Sequence, residues 1–370
     1  MVQPSSSANG DVDVARSPAD LPLSGSPSSR VRHSAKFIAS ASDSVAIHLD
    51  AVAKLAQLLV THSRCGEMGL DRWKKHELHP KSGDQAAVDW IFVADTLNFS
   101  FWSEVEDVTS PEKYAVEYRG KRYTGYWSCC AAINRAIDEG IPILDARYLA
   151  SITDAQVSHI FRASGKGEMP MLAERRANLQ EAGKVLVEKY GGTFLNAIRA
   201  AGNSSQKLLE TILNDFPSYR DTGTFKGEKV EFYKRAQILV ADVWACFEGE
   251  GFGMFTDIDQ LTIFADYRIP QVLNYFGTMT YSPELQKKLD ANYMFQYGEH
   301  EEEEIRGCTI HVSELLKNEL NRLIKTAGAN APDQPEVNAI VLDHYLWDYR
   351  QLHNDDMKHT PYHKVRCIYY

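Results

Sequence analysis

Apolar residues recur at helical spacing along much of the chain. Val45, Leu49, Val52, Leu55 and Leu59 predict a helix over 44–61, with Asp43 or Ser44 as its cap. Further helices are predicted at 154–163, 171–190, 193–201, 204–216, 228–247, 314–326 and 335–351, punctuated by Gly191, Gly192, Gly202 and Pro217. SCCAAINRAIDEGIP adds another, with Ser128 as N-cap, Gly140 as its stop and Pro142 just beyond. Alternation is rarer. KYAVEYRGKRYTGYW spaces Tyr114, Val116 and Tyr118 by two, turns at Arg-Gly-Lys, and predicts a β-hairpin. AAVDWIFVADTLNFSFW is apolar on every side, so its period does not separate a buried strand from a buried helix. No alternation of strand and helix suggests a Rossmann-type sheet. The expected fold class is mainly α, with a small β-element in the first half.

Composition narrows the function classes. With 370 residues, 44% of them hydrophobic and 11% aromatic, the chain has ample material for a core. A formal charge of −10 argues against a main partner made of nucleic-acid phosphates, which attract clustered Lys and Arg. The six cysteines, Cys65, Cys129, Cys130, Cys246, Cys308 and Cys367, form no CxxC pair and read as reduced thiols. No apolar run is long enough for a membrane span or resembles a signal peptide. Residues 1–33, rich in serine and proline, read as a disordered tail ahead of a domain at 34–370, in one lobe or in two that share a cleft. The acidic run EHEEEE at 299–304 reads as a solvated loop.

Four stretches could carry chemistry. GEGFG at 249–253 follows a predicted helix and precedes Asp257 and Gln260, a possible capping box; the pattern fits a plain turn or the hairpin of a helix–hairpin–helix. LTIFADYRIPQVLNYFG places the single acid Asp266 behind the apolar Leu261–Ala265 run and ahead of a helix starting at Pro270 and ending at Gly277. Asp266 either caps that helix or pairs with Arg268, or it is a carboxylate held in an apolar pocket. In EVNAIVLDHYLWDYRQLH, His344 and Asp348 share one helical face while Asp343 sits elsewhere on the circumference, so all three reach one ligand only near a helix end or bend; aromatic residues surround them. They fit a cationic or hydroxylated ligand, or a half-buried helix whose acids face water. His76 and His79 in KKHELHP are not HExxH and lack a third ligand at a telling distance, so His76 reads as a neutral hydrogen-bonding group and no metal is expected. NFSFW at 98–102 could stack a flat base or simply fill the core. Walker, GxGxxG and GxSxG motifs are absent from the sequence.

VDWIFVADTLNFSFW, YRGKRYTGYWS, KRAQILVADVW, TIFADYRIPQVL, EIRGC and MKHTPYHKVRCIYY together resemble the queuosine salvage family, queuosine 5′-phosphate N-glycosidases. The resemblance runs from about Ser34 to Tyr370. It implies a mostly helical fold akin to helix–hairpin–helix DNA glycosylases, and hydrolysis of the bond joining queuine, a 7-deazaguanine base, to ribose 5-phosphate. It further implies that Asp266 is the catalytic carboxylate, that Phe264 packs on the base, and that Asp343, His344, Asp348 and His76 contact queuine. No metal or organic cofactor is implied. Arg268, within the catalytic segment, and Lys234 and Arg235, upstream of it, are the first candidates for the phosphate.

The expected partner is a small molecule, with no stable nucleic-acid or membrane partner; a cytoplasmic protein, also reaching the nucleus, and a monomer are the working expectations. Two rival classes remain at this point. One is a protein that binds queuine or a modified nucleotide without cleaving it. The other is a DNA base-excision glycosylase, against which the acidic charge weighs.

Overall fold

A computed structural model describes residues 24–64, 67–327 and 336–370. Its first helix, α1 (Pro27–Ala41), lies inside the segment expected as a tail, a correction for residues 27–33. Pro27 stands at the helix start, where its missing N–H costs nothing, and Val31, Ala35 and Ile38 align on one buried face. Three residues of the predicted helix 44–61 instead form β1 (Val45–Ile47), and α2 (Leu49–Arg64) begins after it. The short α3 (Arg72–Lys75) leads to α4 (Gln85–Thr96), capped by the Asp84 side chain at Ala87 N. The ambiguous apolar stretch is therefore helical, and it lacks an amphipathic period because most of α4 is buried all round.

The predicted hairpin is present as β2 (Val116–Tyr118) and β3 (Lys121–Tyr123). Arg119 and Gly120 both take positive φ, 48° and 77°, as a two-residue turn that matches strand twist requires. Next come α5 (Tyr126–Asp138), α6 (Ala146–Ala150), α7 (Asp154–Ile160), α8 (Leu172–Tyr190), α9 (Leu195–Ala201) and α10 (Ser205–Asp215). The predicted helix 228–247 is two elements. A hairpin of β4 (Thr222–Phe225) and β5 (Glu228–Glu231), turning at Lys226–Gly227, precedes α11 (Lys234–Cys246). Beyond α11, GEGFG forms a 3₁₀ turn, and Ile258–Gln260 forms a second 3₁₀ turn rather than a capped α-helix. Asp257 instead accepts from Ser204 Oγ and Ser205 N at the start of α10.

The last third holds α12 (Ile269–Tyr275), β6 (Met279–Tyr281), α13 (Pro283–Asp290), β7 (Met294–Phe295), α14 (His300–Ala327), α15 (Ala339–Leu352) and β8 (Lys364–Val365). Strands β1 and β6 pair antiparallel, β7 and β8 parallel. The acidic run is no solvated loop: it opens α14, and Glu302, Glu303 and Glu304 are buried. Each finds donors. Glu302 accepts from Gly298 N and Tyr370 Oη, Glu303 from Thr224 N, and Glu304 from Asp43 N and Ser44 N. Acids in a first helical turn also suit the positive end of the helix.

Helix α14 packs on α1 and α2, and α4 packs on α11. The buried apolar side chains form one continuous cluster through these elements. Gly307, within EIRGC, is where α1 meets α14: a Cβ there would lie 2.6–2.7 Å from Ile38 Cδ1, Cγ2 and Cβ. Alanine would gain about 1 kcal/mol of helix propensity, but overpacking costs about 1–3 kcal/mol. Gly307→Ala should therefore lower the denaturation midpoint, and adding Ile38→Ala should recover part of the loss relative to Ile38→Ala alone. A midpoint at or above that of the parent protein would show that the two helices can slide apart freely. Among the described residues no helix is long and apolar enough to cross a membrane. Cys129, Cys130, Cys246, Cys308 and Cys367 are free and buried; Cys65 lies outside the described residues.

Candidate active site

The segment from Leu261 to Ala265 is buried but pairs with no strand, so its backbone polar groups must be satisfied by side chains. Gln237 of α11 brackets Thr262, accepting from its N–H at 3.0 Å and donating to its Oγ1 at 2.8 Å. Asp343 of α15 accepts from Phe264 N at 2.9 Å, and Arg306 of α14 donates to Ala265 O at 3.2 Å. Three helices thus fix the segment that ends at Asp266. That residue turns back on the start of α12, where its Oδ1 accepts from Arg268 N (2.6 Å) and Ile269 N (3.1 Å). Its Oδ2 has no hydrogen-bond partner among the described residues. Asp266 lines a cavity of about 1180 Å³.

The same cavity gathers Phe264, Asp343, His344, Asp348 and His76. Helix α15, capped by Asn338 at Val341 N, supplies most of one wall. Asp343, Trp347 and Arg350 follow one another at i, i+4 and i+7, and His344 and Asp348 form the adjacent stripe. The facing wall is aromatic. His76 stacks on Trp127 with ring centroids 3.3 Å apart, and Trp127 meets Trp347 edge-on at 5.7 Å. Burial lowers the His76 pKa, and burial pushes that of His79 down to about 3. His79 is held between Trp73 O at 2.8 Å and Tyr126 Oη at 3.1 Å. Both imidazoles are thus neutral members of a packed aromatic cluster that borders the cavity.

Charge is distributed unevenly. Burial pushes the Asp343 carboxyl up to about 7; the Phe264 N–H works against this and the nearby Asp266 adds to it. Asp348 is engaged by Arg72, whose Nε and Nη2 lie 2.9 and 2.8 Å from its Oδ2. For His344, burial opposes charge, but Asp242, with its Oδ1 at 3.8 Å from Nε2, outweighs it together with Asp343 and Asp348, and the pKa rises. Of the three basic residues first considered for the phosphate, Lys234 and Arg268 reach the cavity. Arg235 does not line it. Its guanidinium donates to Asp95 O, Thr96 O and Ser218 O, satisfying carbonyls at the end of α4.

Sequence reasoning missed Asp242, Trp127, Trp347, Lys113 and Arg350, all of which line the cavity. A signal for one of them was present. Two of the three Ala-Asp pairs, in FVADT and LVADV, bring Asp95 and Asp242 together where α4 packs on α11, and Lys234 senses both Asp95 and the Asp266 of the third pair, in IFADY. Asp95 is fully buried, and burial followed by the like charge of Asp242 raises its pKa well above its ordinary value.

A family model described as queuosine salvage protein matches residues 78–370. Over 340 residues the chain is 50% identical to a Bos taurus protein named queuosine 5′-phosphate N-glycosylase/hydrolase, covering 92% of this chain and 98% of that one. A Mus musculus protein of the same name is 48% identical over the same shares. A Sphaerobacter thermophilus protein, also so named, is 40% identical over 321 residues, 87% of this chain and 91% of its own.

Proposed function

The chain belongs to the queuosine salvage protein family, and on that premise we propose that it hydrolyses the N-glycosidic bond of queuosine 5′-phosphate, releasing queuine, with Asp266 as the catalytic carboxylate. The observation that carries this reading is the free Oδ2 of Asp266, set in a cavity whose lining includes Phe264, His76, Trp127 and Trp347. As the bond from C1′ to the base nitrogen lengthens, its electron pair leaves with the base and positive charge grows on the sugar. A carboxylate fixed beside C1′ attracts that charge more strongly in the transition state than in the bound substrate, and this difference is what accelerates the step. Water then adds hydroxide to C1′, and its proton ends on the released base. Oδ2 is the atom available to orient that water, because Oδ1 is committed to two backbone N–H groups.

Phe264, His76, Trp127 and Trp347 supply faces for the 7-deazaguanine ring. Asp343 serves as acceptor for N–H groups of the base or its charged arm, and His344 lies beside it. Asp348 reaches the ligand already paired with Arg72, so its charge is partly spent. The direct test is to incubate the purified protein with queuosine 5′-phosphate and assay queuine by mass spectrometry; binding without release would leave a queuine-binding protein in its place.

Asp343 gives this reading a pH signature. A ligand that donates to it needs the ionised carboxylate, whose folded pKa is about 7. Queuine affinity should therefore rise about tenfold from pH 6 to pH 8, following the competent fraction. Asp343→Asn, which keeps an acceptor for Phe264 N, should flatten that rise, as read by calorimetric titration. A profile identical to that of the parent protein would remove Asp343 from base recognition.

A further inference from the structure

The cavity has a second polar end that the hydrolytic step does not use. Lys113 from the loop before β2, Arg268 from the turn after Asp266, and Arg350 from α15 converge on it. Among the described residues none of the three has a carboxylate within ion-pair distance, whereas Arg72 across the cavity is paired with Asp348. Glu106, exposed on the same rim, hydrogen-bonds none of them. The two guanidiniums are held by neutral groups instead. Gln271 Oε1 accepts from Arg268 Nη1 at 3.0 Å and from Arg350 Nε at 3.2 Å. Its amide nitrogen donates to Thr360 O at 2.7 Å, which fixes the direction of the amide. Arg268 also lies over the rings of Tyr267 and Tyr362, at 5.0 and 4.3 Å. Lys113 Nζ donates to Val105 O at 2.6 Å and contacts Ser103 Oγ at 3.4 Å.

Such a group is poorly compensated by itself. Burial, then Arg268, lowers the Arg350 pKa to about 10, and the same two causes lower that of Lys113. The remaining guanidinium N–H groups have no protein acceptor among the described residues. An anion with several oxygens would relieve both deficits, and forked guanidinium donors suit a phosphate monoester. Arg268 stands two residues after Asp266, so one ribose could present its C1′ to the acid and its 5′-substituent to the cations. We infer that Lys113, Arg268 and Arg350, organised by Gln271, form the subsite for the 5′-phosphate and set the preference for nucleotide over nucleoside. This rests on the function proposed above.

The test measures kcat/KM for queuosine 5′-phosphate and for queuosine with the parent protein and with Lys113→Gln, Arg268→Gln and Arg350→Gln. The ratio of nucleotide to nucleoside should fall about 10- to 100-fold in each variant, the worth of one charge-assisted hydrogen bond. An unchanged ratio would overturn the proposal. A second readout does not need turnover: ribose 5-phosphate should raise the thermal midpoint of the parent protein, ribose should not, and the rise should shrink in the variants. Stabilisation retained in all three variants, or absent from the parent protein, would place the phosphate elsewhere. If the parent protein releases no queuine from either substrate, the hydrolase reading fails, and the subsite stands or falls on the ribose 5-phosphate measurement. Lys113 is only half-buried, so its variant remains informative even if Arg350→Gln folds poorly.

Discussion

Asp266→Asn is expected to slow queuine release from queuosine 5′-phosphate by at least about 10²-fold, the scale for removing one preorganised electrostatic contact to a transition state. Asparagine keeps an oxygen for Arg268 N and Ile269 N, so the turn into α12 and the cavity walls should persist. What it loses is the negative charge facing the sugar. Single-turnover release followed by mass spectrometry isolates this step, with the thermal midpoint and queuine affinity as controls that should barely move. Turnover within threefold of the parent protein would remove the carboxylate from the mechanism. A loss accompanied by a collapsed midpoint would mark Asp266 as structural.

The largest expected effect on stability lies one shell deeper. Arg306 is fully buried, donates to Asp221 at 2.6 and 3.0 Å, approaches Glu302 at 3.5 Å, and is flanked by the Phe232 and Tyr370 rings. Arg306→Leu should cost about 3–5 kcal/mol, because it strands two acids in the interior and not because the pair itself is worth that much. Chemical denaturation would measure the loss, and a cost under about 1 kcal/mol would mean that water reaches the acids. Arg306 also holds Ala265 O, next to Asp266, so a folded remnant of the variant should turn over slowly as well. Arg306→Lys, retaining charge without the fork, should fall between the two in stability.

Much of this architecture was legible where local chemistry and tertiary packing agree. Arg119–Gly120 announced its hairpin, and the Asp266–Pro270 spacing announced the entry to α12. Disagreement followed where a long-range partner decides. Lys226–Gly227 carries the same turn signal as Arg119–Gly120, yet the apolar spacing that follows it reads as one helix over 228–247, which hides β5 until β4 pairs with it. The acids at 302–304 look soluble because their partners, among them Tyr370, Thr224 and Ser44, are remote in sequence. Helix α1 hides in a composition typical of tails, and only Gly307 on α14 explains where Ile38 goes. At the site, the residues within TIFADYRIP and the trio Asp343, His344 and Asp348 on α15 were nameable because each set forms a compact string. Lys113 and Trp127 were not, since neither is distinctive until folding brings it to the cavity.

Ser100, on the cavity wall, is tied to residues near the other end of the chain: its N–H donates to Tyr370 O, and its Oγ donates to Cys367 O. Arg366 reaches back to the carbonyls of Ser100 and Trp102 in the same way. A nascent polypeptide emerging from the ribosome therefore cannot close this wall until residues 366–370 have been made, however early its helices form. A copy clipped ahead of these residues loses every one of those ties, so the wall at Ser100 and Trp102 is left without its far-end anchor.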